Sequence, residues 1–450
     1  MTSMKATLMA AVAVGALAMA VAPANAQQSD TTAIRQQIEA MKREYEARIQ
    51  DLERRLEKTE TDAQSAKQVA AQSQATADAA QASANRPPPA PPAAQNAFNP
   101  AISAVLNGTY GAFSRDPDKA KIPGFALGDE AKPGKRGFSL GESEIDVAAN
   151  VDQAFSAWLA VSFDSDNTAA VEEAYIQSSS LPYGFTLKGG RFFSGIGYLN
   201  ERHAHDWDFV DAPLPYRAML NNQYGDDGVQ LRWLAPTDYF LEFGAEMFRG
   251  DSFPSGNASH AGNGARSLFV HAGDDFNESS SWLAGLSYLG TDASNRETGA
   301  LPDTFSGSDD IGIASLVYKW APGGNPIERN LILSGEYFNR HERGTFDANS
   351  LNTNQSGWYL QSVYQFMPRW RAGLRYDELS SKALGAEFAG TTLDNLGHTP
   401  RRETALLEYD TSEFGRFRLQ YNRDDSDTET DNQLLLQYTV IIGPHGAHRF

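Results

Sequence analysis

The sequence predicts an all-β protein, a 16-stranded transmembrane antiparallel β-barrel preceded by an N-terminal α-helical coiled coil. Two observations predict the barrel. From Ala101 onward, short segments alternate apolar and polar residues with a period of two, and the connections between them alternate between long and short. A third observation, an apolar stripe with helical spacing before the barrel, predicts the coiled coil. We divide the chain into a signal peptide, a coiled coil, a spacer and a barrel, over residues 1–26, 27–62, 63–100 and 101–450.

The composition is acidic and free of cysteine, which limits the classes of function. The 450 residues hold 57 Asp and Glu against 38 Lys and Arg, a formal net charge of -19. The lack of cysteine excludes disulfide frameworks, thiolate metal sites and cysteine nucleophiles. The acidic balance argues against a nucleic-acid partner, and a mean hydropathy of -0.46 excludes a bundle of transmembrane helices.

The first 26 residues have the pattern of a secretory signal peptide. Lys5 precedes an apolar run from Leu8 to Val21, and the segment ends in small residues, Ala24-Asn25-Ala26, as a signal peptidase requires. The apolar run is shorter than the roughly 20 residues of a membrane-spanning helix. We therefore expect cleavage after Ala26 and export into a Gram-negative envelope.

A single apolar stripe follows the signal peptide. Its members lie three or four residues apart with charged residues between them: Ile34, Ile38, Met41, Tyr45, Ile49, Leu52 and Leu56. The mean spacing, about 3.7 residues, is closer to an 11-residue repeat than to a heptad. Such a helix is expected to self-associate. A three-stranded coiled coil is preferred, although the stripe does not fix the number of helices. A single exposed helix is the alternative.

Residues 63–100 are predicted to be a spacer. They are rich in Ala, Gln, Ser and Thr as far as Asn85, and a proline-rich run from Arg86 to Pro92 then ends any helix. A helix from 31 to 85 would reach about 80 Å at 1.5 Å per residue, enough to cross much of a periplasm.

The body of the chain contains sixteen predicted strands. Each is a run of about ten residues bounded by Gly, Pro, Asn or Asp. They lie near residues 102–112, 137–149, 154–163, 171–180, 184–192, 226–235, 239–248, 265–274, 281–290, 309–320, 329–340, 355–366, 370–380, 401–411, 415–424 and 431–442.

The connections between these strands alternate in length. Residues 113–136 form a long connection and 150–153 a short one, and the order continues to predicted long loops at 291–308 and 341–354. Long loops on one rim and short turns on the other are typical of outer-membrane barrels, with both termini on the periplasmic side. A soluble sandwich has no reason to keep this order. Aromatic residues gather beside the short turns, as in an interfacial girdle.

Charged residues share the polar parity of several strands. If apolar residues face lipid, parity turns these charges toward the lumen and makes them candidates for lining a pore. The candidates are Arg371, Arg375, Arg416, Arg418, Glu142, Glu144, Asp146, Glu242 and Glu246. Separate basic and acidic walls would set a transverse field across a water-filled pore and tune its ion preference. The alternative is that they are only the polar half of amphipathic strands.

The longest connection, residues 193–225, is too apolar for a loop in solvent. We predict that it folds into the barrel as a constriction, with Trp207, Phe209, Tyr216 and Arg217 as candidate residues. Packing against a neighbouring subunit is the alternative.

The same loop holds His203, His205 and Asp206, which are weak candidates for a zinc or copper site. A His-x-His pair is more often solvated or hydrogen-bonded than metal-bound, so we predict no metal and no cofactor. His445 and His448 form a second pair near Phe450, a terminal residue that resembles the signal read by the barrel-insertion machinery.

Three blocks of the sequence resemble known porins. Residues 98–103 (FNPAIS), 190–197 (GRFFSGIG) and 225–231 (GDDGVQL) resemble porin-like proteins with N-terminal coiled coils, and the sixteen-strand plan is similar to the phosphate-selective porin superfamily. The resemblance implies a trimeric passive channel and says little about the solute. The lysine-rich loop of a phosphate channel is not visible, because residues 193–225 contain Arg202 and Arg217 but no lysine.

These observations favour a homotrimeric outer-membrane porin that passes small hydrophilic solutes or ions by diffusion. Its expected partners are outer-membrane lipid and the insertion machinery, with the coiled coil in the periplasm. The alternative is an envelope tether whose coiled coil contacts peptidoglycan or another layer. We predict no enzyme, because the serine motif at residues 137–141 lies in a continuing strand rather than at a strand-to-helix turn.

Overall fold

The structure, a computed structural model, describes residues 100–165, 168–256, 263–298 and 301–443, with residues 301 and 302 described by their backbone alone. The chain separates into Met1–Gln95 and Asn96–Phe450. The predicted signal peptide, coiled coil and nearly all of the spacer lie outside the described residues, as do His445, His448 and Phe450. The barrel region can therefore be compared with its prediction, whereas the N-terminal regions remain predictions.

Seventeen strand segments and one short α-helix form the framework of the described chain. The strands are β1 Ala101–Phe113, β2 Gly137–Leu140, β3 Ser143–Asn150, β4 Phe155–Phe163, β5 Ala169–Ser178, β6 Phe185–Phe193, β7 Gly225–Leu234, β8 Phe240–Phe248, β9 Ala265–Asn277, β10 Ser280–Thr298, β11 Leu301–Trp320, β12 Asn330–Phe346, β13 Asn349–Met367, β14 Trp370–Ser381, β15 Arg401–Ser412, β16 Gly415–Asp425 and β17 Asp431–Ile442. The helix, α1, is Leu214–Leu220. Among the described residues, no helix combines the length and apolarity that spanning a bilayer requires.

The strands close into one antiparallel barrel. Each pairs with its neighbour in the chain, and β1 pairs with β17 in a register that runs from Ala104 opposite Ile442 to Phe113 opposite Gln433. Both β2 and β3 pair with β1, so they are the two halves of one strand that is interrupted at residues 141–142. The described segments thus make a closed barrel of sixteen strands, which confirms the predicted fold class of the barrel region.

Apolar side chains lie on the exposed face of the wall and polar side chains on the buried face. On β14, Leu374 is 67% exposed and its neighbour Arg375 is 3% exposed; on β16, Leu419 is 44% exposed and Arg418 is fully buried. This alternation inverts the arrangement of a soluble protein. An apolar exterior around a polar interior is the arrangement of barrels that lie in a lipid bilayer.

Two of the predicted long loops are strands. Residues 291–298 belong to β10 and 301–308 to β11, and 341–354 belong to β12 and β13, which turn at residues 347–348. The alternation is hard to see there because the exposed face also becomes polar. Ser350, Asn352 and Asn354 are exposed, whereas Leu351 and Thr353 between them are buried. Hydrogen bonding between strands continues past the apolar band, but the sequence signal ends with that band.

Gly190 allows β5 and β6 to approach each other closely. It has a φ of 133° and lies opposite Tyr175, and an added Cβ would meet the carbonyl oxygen of Ala174. We expect Gly190→Ala to lower the free energy of unfolding in detergent by about 2 kcal/mol or more, because it combines a strained backbone with a clash. Gly189→Ala is the matched control, since its Cβ would make only an ordinary contact with Val229. Equal urea midpoints for the two variants would contradict this role of Gly190.

Candidate functional site inside the barrel

The connection between β6 and β7, residues 194–224, is called the inner loop here because it lies within the ring of strands. Its residues hydrogen-bond to inward-facing side chains on widely separated strands. The Gly195 amide donates to Glu246 on β8 at 3.0 Å, the Val210 amide to Gln420 on β16 at 2.8 Å, and the Tyr198 amide to Glu336 on β12. One segment can reach strands on so many sides of a closed barrel only from its interior.

Apolar packing holds the inner loop in place. All seven residues of α1 are buried, and Trp207 and Tyr216 belong to a buried apolar cluster with Phe338 on β12 and Tyr359 on β13. Phe209 packs in a separate group with Val363 and Leu406. Buried aromatic side chains contribute about 1.5–3 kcal/mol each. The inner loop is therefore packed as an integral part of the barrel interior.

Two of the predicted pore-lining arginines bind carboxylates of the inner loop. Arg371 Nη2 lies 2.5 Å from Asp208 Oδ1, and Arg375 Nη2 lies 2.6 Å from Asp211 Oδ1. Arg402 Nη1 on β15 reaches the second oxygen of Asp211 at 3.1 Å. Burial alone would raise the pKa of Asp211, but Arg402 and Arg375 outweigh it and hold that pKa well below its ordinary value.

The other two predicted arginines bind the loop backbone. Arg418 Nη1 donates to the carbonyl oxygens of Trp207 at 2.6 Å and Phe209 at 3.1 Å, and Arg416 Nη2 donates to that of His205. Parity placed all four arginines on the buried face. It gave no sign that their partners would be Asp208, Asp211 and loop carbonyls, because these contacts join residues more than 160 positions apart.

The predicted acidic candidates occupy several environments. Glu246 accepts hydrogen bonds from the start of the inner loop, and Glu242 lies 3.5 Å from both Arg232 and His271. Asp146 accepts from Ser103 at 3.2 Å.

Glu142 and Glu144 differ in placement although they share a predicted parity. Glu142 lies at the break between β2 and β3 and is exposed, so it departs from the regular alternation. Glu144 is 3% exposed and faces both His203 and His205. Asp206 lies 3.7 Å from His205 Nε2. The structure therefore brings Glu144, rather than Glu142, to the predicted histidine pair.

A buried carboxylate that sequence reasoning overlooked supports the middle of the inner loop. Glu336 on β12 is 3% exposed and accepts a hydrogen bond from the Tyr359 hydroxyl at 3.1 Å as well as from the Tyr198 amide. The Tyr216 hydroxyl in turn accepts the Leu199 amide at 3.1 Å. Glu336 shares the parity of Arg340 on β12, so strand alternation was the signal that could have identified it.

A second loop, residues 114–136, also packs into the interior. Phe125 belongs to the same apolar cluster as α1, and Gln355 on β13 donates to the Gly124 carbonyl oxygen at 2.7 Å. Arg217 of α1 donates to the Ala131 carbonyl oxygen at 3.0 and 2.9 Å. Arg217, predicted as a constriction residue, is thus buried and joins the two loops.

Comparison with solved structures finds outer-membrane proteins at low similarity. The chain is similar to the outer membrane channel DcaP of Acinetobacter baumannii, with 11% identity, coverage of 76% of this chain and 97% of that one, and a TM-score of 0.49. It is similar to the anion-selective porin of Comamonas acidovorans at 10% identity, 76% and 99% coverage and a TM-score of 0.47. At these values, the likeness assigns no solute and no residue role to this chain.

One sequence relative is much nearer. No protein-family model matches the chain. An Aquifex aeolicus (strain VF5) protein described as "Uncharacterized protein" is 31% identical over 391 residues, which cover 80% of this chain and 81% of the relative. Identity at this level over most of both chains shows common membership, and the chain therefore belongs to the same family as this Aquifex aeolicus protein.

Proposed function

We propose that the protein is a porin of the Gram-negative outer membrane, through which small hydrophilic solutes or ions diffuse passively. The observation that supports this most directly is the closed barrel with an apolar exterior, a polar interior and a loop bound to its inner wall. An apolar exterior suits lipid, and an interior lined by charged and amide side chains suits water. The resemblance of the sequence to porins with N-terminal coiled coils supports a homotrimer.

The inner loop is proposed as the constriction. It reaches from β6 across to β14 and β16, and ion pairs at Asp208 and Asp211 fix it against the basic strip of the wall, which we define as Arg371, Arg375, Arg402, Arg416 and Arg418. A segment held inside the barrel takes up part of its cross-section. Its position therefore sets the size of the path that is left for a solute.

The charged walls are proposed to set the ion preference. The basic strip lies on β14, β15 and β16, and the acidic residues Glu144, Glu172 and Glu173 lie on β3 and β5. Loop carboxylates already neutralise part of the basic strip. The field in the pore thus depends on both the wall and the loop.

Reconstitution in a planar lipid bilayer tests the proposed function. We expect the purified full-length protein to give discrete conductance steps grouped in threes, because each barrel of a trimer is a separate path. A heat-unfolded sample of the same preparation is the control. Folded protein that inserts into the bilayer without conducting would overturn the proposal, whereas single ungrouped steps would leave a channel but contradict the trimer.

A further inference from the structure

Two histidines and a glutamate meet where the inner loop passes β3. His203 precedes a short 3-10 turn of the inner loop, Ala204–Asp206, and His205 lies within that turn. Glu144 lies on β3. One potential ligand atom from each of the three side chains lies within 4.8 Å of the others. Glu144 and His205 are 3% and 4% exposed. The three side chains therefore share one enclosed position.

The distances suit ligands of one metal ion. His203 Nδ1 lies 3.2 Å from Glu144 Oε1, and His205 Nδ1 lies 3.2 Å from Glu144 Oε2. Two atoms bound to one tetrahedral zinc ion at 2.0–2.1 Å stand about 3.3 Å apart. Both imidazoles therefore direct the same ring nitrogen toward the same carboxylate at nearly the spacing that a shared ion would impose.

The opposite ring nitrogens face further carboxylates. His203 Nε2 lies 3.1 Å from Glu173 Oε2, and His205 Nε2 lies 3.7 Å from Asp206 Oδ1. Histidine that binds a metal through one nitrogen generally donates its other N–H to a carboxylate or carbonyl, which fixes the orientation of the ring. His203 has such a partner in Glu173, and Asp206 lies beside the corresponding nitrogen of His205.

The buried carboxylate of Glu144 lies between the two imidazoles. Its Oε1 faces His203 Nδ1 and its Oε2 faces His205 Nδ1, and a buried carboxylate needs a positive charge beside it. A cation held by the three side chains would supply that charge. Glu172, whose Oε2 lies 3.2 Å from His203 Nδ1, adds further negative charge beside the site.

The backbone around the site is anchored independently of any ion. Arg416 binds the carbonyl of His205, and Glu246 binds the amide of Gly195 where the loop leaves β6. A site on fixed backbone loses little freedom when an ion binds.

We propose that Glu144, His203 and His205 bind a divalent transition-metal ion, with zinc as the best match. Two imidazoles and one carboxylate suit zinc, whereas calcium and magnesium take mainly oxygen ligands. The sequence suggested Asp206 as the third metal ligand. In the structure Glu144 faces Nδ1 of His205, whereas Asp206 lies near the opposite ring nitrogen, Nε2. The ion would join the inner loop to the barrel wall at β3.

Zinc titration of the purified protein tests this site. We use a background with His445→Ala and His448→Ala, so that the second histidine pair does not contribute. Isothermal calorimetry is expected to give one zinc ion per chain, with binding weakened about 100-fold or more by Glu144→Gln or His205→Ala. His271→Ala is the matched control and should leave binding unchanged, because His271 also lies beside a carboxylate, Glu242, on the buried face.

A structural readout keeps the test independent of how the variants fold. Anomalous scattering at the zinc edge from crystals of the background protein should give one peak between Glu144, His203 and His205. Absence of zinc binding in that background, or binding that Glu144→Gln and His205→Ala leave undiminished in folded protein, would overturn the proposal. Either result would mean that the histidines serve only as partners of Glu144, Glu172 and Glu173.

Discussion

Replacement of residues 203–219 by a short Gly-Ser linker is expected to raise the single-channel conductance about two- to fivefold. The conductance of a water-filled pore follows the cross-section of its narrowest part, and this segment carries Trp207, Phe209 and all of α1 except Leu220 into the barrel interior. The measurement is the step size in planar bilayers at fixed salt. An unchanged step size would contradict a constriction formed by the inner loop.

Paired point variants separate the loop's position from its charge. Asp208→Asn with Asp211→Asn, and Arg371→Ala with Arg375→Ala, both break the Arg371–Asp208 and Arg375–Asp211 ion pairs, so both should raise conductance. The first variant also breaks the ion pair between Asp211 and Arg402. Their reversal potentials in a salt gradient should shift in opposite directions. The first variant removes two negative charges and favours anions, whereas the second removes two positive charges and favours cations.

Asp118→Asn is the control for these variants. It removes one negative charge from an exposed position in another loop and should change neither conductance nor reversal potential. Equal reversal potentials for the two double variants would show that these residues contribute nothing to the field in the pore, even if the loop moves.

The state of Asp211 predicts how the anchor responds to pH. Its pKa in the folded protein lies below its value in an unfolded chain, so the ion pairs contribute fully above about pH 4 and are lost as the pH falls toward the lowered value. The contribution of Asp211 to the step size should therefore stay constant from pH 8 to about pH 4. A rise in conductance near pH 6 that Asp211→Asn abolishes would contradict the lowered pKa of Asp211.

Most of the barrel fold could be predicted from the alternation of apolar and polar residues, because each wall residue faces either the exterior or the interior. It gave sixteen strands and placed Arg375 and Arg418 on the buried face, since these depend only on local sequence parity. The alternation no longer identifies a strand where both faces become polar, as at Ser350 and Asn352. The extended hairpins beyond the apolar band therefore went unrecognised.

The interior site was only partly accessible from sequence. Apolar content identified the inner loop as a buried segment, and the His-x-His spacing drew attention to His203 and His205. The partners of these residues depend on which strands close the barrel and on the path of the loop across it. Glu144 lies about 60 residues from the histidines and Asp211 about 160 from Arg375, so only the folded chain brings them together.

Asp309→Ala is expected to cause a large loss of stability, about 3–5 kcal/mol in the free energy of unfolding in detergent. Asp309 on β11 is fully buried and accepts Arg340 Nη2 at 2.5 Å and Arg296 Nη1 at 3.2 Å. Glu342 is the remaining carboxylate that pairs with these two guanidinium groups in the described structure. Removal of Asp309 would therefore leave two buried positive charges facing one negative charge, and a buried charge without its partner is far costlier than an exposed one.

The adjacent residue supplies a control on the other face of the same strand. Asp310 points away from this network and accepts the Tyr288 hydroxyl at 2.5 Å near the surface, so Asp310→Ala should cost about 1 kcal/mol or less. Glu342→Gln together with Asp309→Ala should be less stable than Asp309→Ala alone, because the guanidinium groups then lose their last charged partner. Urea unfolding of the detergent-solubilised barrel, followed by tryptophan fluorescence, measures all three. Similar midpoints for Asp309→Ala and Asp310→Ala would show that water reaches the arginines, which would place this network on the aqueous path through the barrel rather than in a sealed wall.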